Sequence, residues 1–273
     1  MLVIIILLFF FLLYLFLIFP RTSEQERMQK WHSRMFAHRG LHNITEGIPE
    51  NSMPAFRAAI ENGYGIELDL HITSDGQIVV FHDDTLNRMC GITGTIEHMS
   101  YTELRGLCLK GTPEHIPLFK DVLTLVDGKV PLLIEFKLPT KSASVCEKAY
   151  EYLKNYEGEY LVQSFNTMGV RWFKLHAPHV LRGQLASRLT KENGSEPWIL
   201  KFAVQNLLCN FVGRPDFISY KLTDLPQLSV SILQHILHTP IAVWTLNTEK
   251  KLHTGIKKYD MQIFEKQIKI LNK

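Results

Sequence analysis

The chain has 273 residues, 46% of them hydrophobic, enough to bury one sizeable core or two small ones. A formal net charge of +3, with the lysines dispersed except near the C-terminus, argues against a nucleic-acid partner. Cys90, Cys108, Cys146 and Cys209 stand far apart with no Cys-x-x-Cys pair, which argues against a zinc site or a disulfide framework.

Leu2 to Phe19 is an unbroken apolar and aromatic run ended by Pro20-Arg21. At about 1.5 Å per residue it approaches the ~30 Å hydrocarbon core of a bilayer. No basic start and no small-residue cleavage site precede Phe19, so residues 1–20 are expected to be an uncleaved single-pass transmembrane anchor. Arg21, Arg27, Lys30 and Arg34 follow the run, and the positive-inside rule then places the remaining chain in the cytoplasm. Residues 21–33 are polar and read as a juxtamembrane linker or short helix.

A strand is predicted from Arg34, ending in His38-Arg39-Gly40. Asn51 or Ser52 can cap a helix over Pro54 to Asn62, with Pro54 at an early helical position. Two runs of period-two alternation between Gly65 and Asp83 are separated by Ser74-Asp75-Gly76, a hairpin signal. Pairing about Asp75-Gly76 brings Ile72 beside Ile78 or Val79 and carries His82 back to Asp69. Residues 84–117, with little hydrophobic period, read as an insertion. Strands follow at Pro131–Lys137, Tyr160–Phe165, Val180–Ala186, Asp216–Leu222, Ile241–Asn247 and Asp260–Glu265, with helical stretches between most of them. Eight strands in this alternation predict an α/β fold, an eight-stranded parallel (β/α)8 TIM barrel over 34–273. An open doubly wound sheet is the alternative, but no Gly-x-Gly-x-x-Gly follows a strand.

In such a barrel the chemistry lies at the C-terminal strand ends. Those ends carry His38 and Arg39, Glu67 and Asp69, Glu135 and Lys137, Gln163 and Phe165, and Trp244 and Asn247, with His82 joining through the hairpin. Glu67 and Asp69, two apart on a strand, leave the same face roughly 7 Å apart at Cα. Alone, they would read as two acids on a solvated face. Together with Glu135 they form an all-oxygen ligand set for one hard divalent cation, Ca²⁺ or Mg²⁺. Arg39 and Lys137 suit phosphate oxygens, and His38 and His82 suit a base and acid pair. The combination implies phosphodiester cleavage.

His38-Arg39-Gly40, Glu50-Asn51-Ser52, Glu67-Leu68-Asp69, His82-Asp83, Glu135-Phe136-Lys137, Gln163-Ser164-Phe165 and Trp244-Thr245-Leu246-Asn247 resemble the ordered motifs of the glycerophosphodiester phosphodiesterase family. The resemblance implies a TIM barrel with a small subdomain after His82-Asp83 and metal-dependent hydrolysis of glycerophosphodiesters to glycerol 3-phosphate and an alcohol. It implies His38 and His82 as acid and base, Glu67, Asp69 and Glu135 as metal ligands, and Arg39 and Lys137 as phosphate binders. It also puts Glu50 and Asn51 close to the site and Phe165 and Trp244 on the glycerol or leaving-group side. The last strand departs from the family pattern: Asp260-Met261-Gln262-Ile263-Phe264-Glu265-Lys266 stands where an Asp-Gly-Ile-Ile-Thr-Asp/Asn segment is usual.

His71 shares a face with Asp69 but reads as a polar residue of the hairpin arm. His42 and the remaining histidines lack motif partners, Trp244 is as readily explained by barrel packing as by substrate contact, and Lys250-Lys251 and Lys257-Lys258 are most simply a solvated helix face, with contact to anionic lipid as the alternative. Two other functions compete with the leading one: a membrane-associated lysophospholipase D acting on lysolipids, and a barrel that binds phosphodiesters without turnover.

Overall fold

A computed structural model of the chain describes residues 1–139, 142–192 and 196–265. Lys266, at the end of the atypical terminal run, and the rest of the expected domain to 273 lie outside the described residues. The eight predicted strands form, as β1 (Arg34–Ala37), β2 (Gly65–Ile72), β4 (Leu132–Phe136), β5 (Tyr160–Ser164), β6 (Arg182–Ala186), β7 (Phe217–Lys221), β8 (Ile241–Leu246) and β9 (Met261–Phe264). They are parallel and follow one another round a closed ring, β9 pairing with both β8 and β1 and β1 with β2. β3 (Ile78–Val80) is the hairpin's return arm, antiparallel to β2 with Leu70 opposite Val80 and Ile72 opposite Ile78. The atypical last strand closes the barrel: Arg34 to Ala37 pair in register with Met261 to Phe264.

Strand alternation divides the apolar residues into two sets. Leu132, Ile134, Val162, Ile218, Ile241 and Val243 pack in the large cluster that also takes in the surrounding helices, such as Phe56, Val122, Cys146 and Phe173. Their alternate neighbours, Phe36, Leu133, Leu161, Phe217, Ala242, Met261 and Ile263, fill the floor of the barrel with Met28 and Trp31. Two glycines make this floor: a Cβ on Gly65 would stand 2.6 Å from a Phe36 ring atom, and one on Gly183 2.3 Å from Phe217. The insertion carries its own small core, in which Leu86, Met89, Ile96, Leu104, Leu109 and Ile116 pack on Val79 and Phe81.

The expected transmembrane anchor is corrected. Among the described residues no helix is long and apolar enough to cross a membrane. The N-terminal helix spans Leu2–Ile18, 17 residues, or about 25 Å at ~1.5 Å per residue against the ~30 Å required. It ends at the residue before Pro20, where Phe19 is extended (ψ 128°), and its last turn is held by the domain: Asn210 Nδ2 donates to Ile18 O (3.0 Å), and Arg214 Nη1 to Phe16 O (3.0 Å) and Phe19 O (2.8 Å). The membrane localisation and cytoplasmic orientation expected from the basic flank fall with the span. Those cations serve the barrel and its neighbours instead: Arg21 pairs with Asp216, Arg27 with Glu24 and the His179 carbonyl, Lys30 with Glu159, and Arg34 with the Lys30 carbonyl.

Candidate active site

Above the floor, the same inward face turns polar on several strands. On β4, Leu133 belongs to the floor and Glu135, two residues on, to the site; on β2, Glu67 and Asp69 do likewise. The register sets Asp69 opposite Glu135 and Glu135 opposite Gln163. One carboxylate oxygen each from Glu67, Asp69 and Glu135 lie within 4.8 Å of one another, and all three residues are buried.

Burial, then the neighbouring Asp69 and Glu135, push the Glu67 carboxyl well above the ordinary glutamate value. Burial raises Glu135 too, with Lys137 working against it. Asp69 goes the other way: burial opposes its ionisation, but Lys137, His82 and Arg39 outweigh burial and hold it well below the usual range. The Lys137 ammonium bridges the last two carboxylates, 2.9 Å from Asp69 Oδ1 and in close contact with Glu135 Oε1. Asn51 Oδ1 and Gln163 Oε1 are buried with no hydrogen-bond partner among the described residues. Buried oxygen donors, mutual repulsion and two spare neutral oxygens fit a hard divalent cation.

Arg39 follows β1 in the left-handed region, φ 56°, and is succeeded by Gly40 at φ 79°. The turn directs its backbone N–H to Glu67 Oε2 (3.0 Å) and its Nη1 to Glu50 Oε1 (2.6 Å), with Nε 3.7 Å from Asp69 Oδ2. Asn51, also left-handed at φ 52°, donates through Nδ2 to Asp69 Oδ2 (2.9 Å). Ser52, with the adjoining Pro49 carbonyl holding its hydroxyl, caps the helix Met53–Glu61 behind these residues.

The hairpin returns as expected: Phe81 N donates to Asp69 O (3.0 Å), so His82 follows at the rim. His82 Nδ1 lies 2.6 Å from Asp83 Oδ1. His38 N donates to Phe264 O (2.8 Å), which fixes the other histidine against β9. Phe165, just after β5, and Trp244, on β8, meet edge to face, ring centroids 5.7 Å apart, with the Lys221 ammonium 6.0 Å from the Trp244 ring. Burial holds His38 below the ordinary imidazole value.

Two residues, Glu265 and Arg88, join the site without having been singled out by the sequence, and a third, His71, joins it from the face it shares with Asp69. Glu265, ending β9, stands 3.9 Å from His38 Nδ1 and 3.4 Å from His42 Nε2, and the two imidazoles hold its carboxyl well below the usual range. His71, read as a hairpin-arm residue, is fully buried and bonds through Nε2 to the His82 carbonyl (3.3 Å); burial brings it down to about 4. Arg88, from the insertion, reaches both Asp83 and Glu50.

The chain matches the family model described as "Glycerophosphoryl diester phosphodiesterase family" over residues 38–268. It belongs to that family. A glycerophosphodiester phosphodiesterase of Bacillus altitudinis is 32% identical over 54% of the chain and 64% of its own length. A lysophospholipase D of Rattus norvegicus is 33% identical over 54% of the chain and 49% of its own length. The matches thus span about half to two thirds of these curated relatives. Among solved structures, an Oleispira antarctica phosphodiesterase in complex with the product sn-glycerol-3-phosphate superposes with a TM-score of 0.70 at 22% identity, covering 86% of the chain and 94% of its own. One from Thermotoga maritima gives 0.65 at 24% identity, over 85% and 94%. These likenesses establish the TIM-barrel fold of the family.

Proposed function

We propose that the chain hydrolyses glycerophosphodiesters to glycerol 3-phosphate and an alcohol, with one divalent cation, Ca²⁺ or Mg²⁺, held by Glu67, Asp69 and Glu135. The observation that carries this reading is the buried three-carboxylate cluster with Arg39 and Lys137 beside it and His38 and His82 at the same rim. A bound cation supplies charge stabilisation at the phosphoryl oxygens. Arg39 and Lys137 bind and orient the phosphate, while Phe165 and Trp244 exclude water from the glycerol or leaving-group side. Asp83 is held ionised and can only accept, so the proton lies on His82 Nδ1 and leaves Nε2 as the atom that exchanges protons with substrate. One histidine takes the proton of the attacking hydroxyl, either from water directly or from the glycerol 2-hydroxyl with water then opening the cyclic phosphate, and the other protonates the departing alkoxide.

The test is a panel of diesters assayed after exhaustive chelation and again with Ca²⁺ or Mg²⁺ restored. Turnover should vanish and return, and Glu135→Gln should weaken cation binding in a titration calorimeter. Full activity without metal would remove the three-carboxylate assignment, and binding of diesters without turnover under every condition would leave a binding barrel.

A second reading, lysophospholipase D, rests on an apolar surface joined to the rim. Trp198, Ile199 and Leu200 open an exposed helix, Trp198–Gln205, whose Lys201 donates to the Glu192 carbonyl (3.0 Å) while the Glu192 carboxylate pairs with Lys221 of the site wall (2.9 Å). That surface suits an acyl chain. Lysophosphatidylcholine turned over faster than glycerophosphocholine, with Trp198→Ala slowing only the former, is the result that favours it.

A further inference from the structure

Arg88 lies outside the barrel, in the short helix Asn87–Cys90 of the insertion, and is partly exposed. Its guanidinium nevertheless grips two carboxylates at once. Nε and Nη2 donate to Asp83 Oδ2 (2.6 Å) and Oδ1 (2.9 Å), and Nη1 and Nη2 donate to Glu50 Oε2 (2.8 Å) and Oε1 (2.7 Å). Asp83 Oδ1 is also the partner of His82 Nδ1, and Glu50 Oε1 is also the acceptor for Arg39 Nη1. One continuous chain of charge-assisted bonds therefore runs His82, Asp83, Arg88, Glu50, Arg39. Its ends are an acid–base histidine and a phosphate-binding arginine of the reading above. Only a planar fork with five N–H donors can serve both carboxylates in this way; a lysine ammonium is a single point charge.

We infer that Arg88 is a positioning residue: as a clamp between Asp83 and Glu50, it sets His82 and Arg39 in mutual register across the mouth of the barrel and so couples the insertion to catalysis. The inference rests on the proposed phosphodiesterase activity for its kinetic test, but not for its structural one. Among the described residues no other cation grips either carboxylate through two nitrogens, since Arg39 reaches Glu50 through Nη1 alone. Removing the clamp frees Asp83 to rotate from His82 and frees Glu50 to draw Arg39 away from the phosphate.

The test compares wild type with R88A, R88K and D83N on one glycerophosphodiester, together with the downfield Nδ1–H resonance of His82 in the proton NMR spectrum. R88A is expected to keep its fold by circular dichroism, to lose about 10–100-fold in kcat and to lose or broaden the His82 resonance. Millimolar guanidinium should restore part of the lost kcat in R88A and none in D83N. R88A/D83N should be no worse than the poorer single variant, since both cut one chain. Should R88A not fold, R88K carries the test through the same loss of kcat and of the resonance. A folded R88A or R88K with wild-type kcat and an unchanged resonance overturns the inference. A wild-type protein inactive on every diester, with the resonance present in wild type and absent in R88A, overturns the activity and leaves the clamp standing.

Discussion

Glu50 is the residue on which the network titrates. Burial raises its carboxyl, but the guanidinium bonds from Arg88 and Arg39 outweigh burial and bring it down to about 2. A carboxyl whose folded value lies below its unfolded one of about 4.3 contributes stability above that unfolded value. The contribution is lost as pH falls from there through about 2. Urea midpoints measured along this range should therefore fall more steeply for wild type than for Glu50→Gln; parallel curves would show that the carboxyl does not titrate as bonded. The two histidines make a second case at this scale. His38→Ala and His82→Ala should each lower kcat by about 10²–10⁴-fold, and the double variant by much less than the product. A p-nitrophenol leaving group, which departs without a proton, should rescue the variant lacking the acid and not the one lacking the base. Most of this site was legible because its members sit at fixed offsets along strands. Glu265 was not: it ends a strand whose sequence departs from the family pattern, and its partners lie more than 200 residues earlier. Arg88 escaped for the same reason, since nothing local links it to Glu50 across 38 positions.

The strands were readable as elements because burial on both sides writes itself as apolar runs, Leu132-Leu133-Ile134 above all, and each observed strand lies within the predicted stretch. The hairpin was readable to within one residue: pairing about Asp75-Gly76 leaves Ile72 beside Ile78 or Val79, and the structure selects Ile78. What periodicity does not reveal is which inward positions must be small. Gly183 is the clearest case, as the Phe217 ring fills the space a side chain would need. Gly183→Ala should cost about 1–3 kcal/mol through overpacking, read as a lower melting temperature, whereas Gly106→Ala, where nothing stands within 4 Å, should cost far less. Equal losses at the two positions would mean that the floor yields easily. The N-terminal helix failed at the same scale for a different reason. Counting apolar residues gave its length and Pro20 its end, but not the docking of its last turn on Asn210 and Arg214, whose approach is a property of the folded barrel.

At the scale of the molecule, the polar segment before the first strand contributes a principal piece of the interior. Trp31, 2% exposed, stacks on Phe36 with centroids 6.3 Å apart and completes the floor with Met28. Trp31→Ala should destabilise the protein by about 3–5 kcal/mol, measurable by denaturant unfolding; a loss below 1 kcal/mol would mean the barrel ends at its own strands. Phe36 is held from below by Trp31 and alongside by the closing strand, since β1 is hydrogen-bonded to β9 along its whole length. During synthesis that partner is the last of the ring's eight described strands to emerge. At roughly 5–20 residues per second the ribosome needs on the order of tens of seconds to deliver β9 after β1. Through that interval the nascent chain carries two unpaired strand edges, and a ribosome stalled before Met261 would hold a sheet that cannot shut. The birth of this protein therefore has a period of exposure set by the ring's topology.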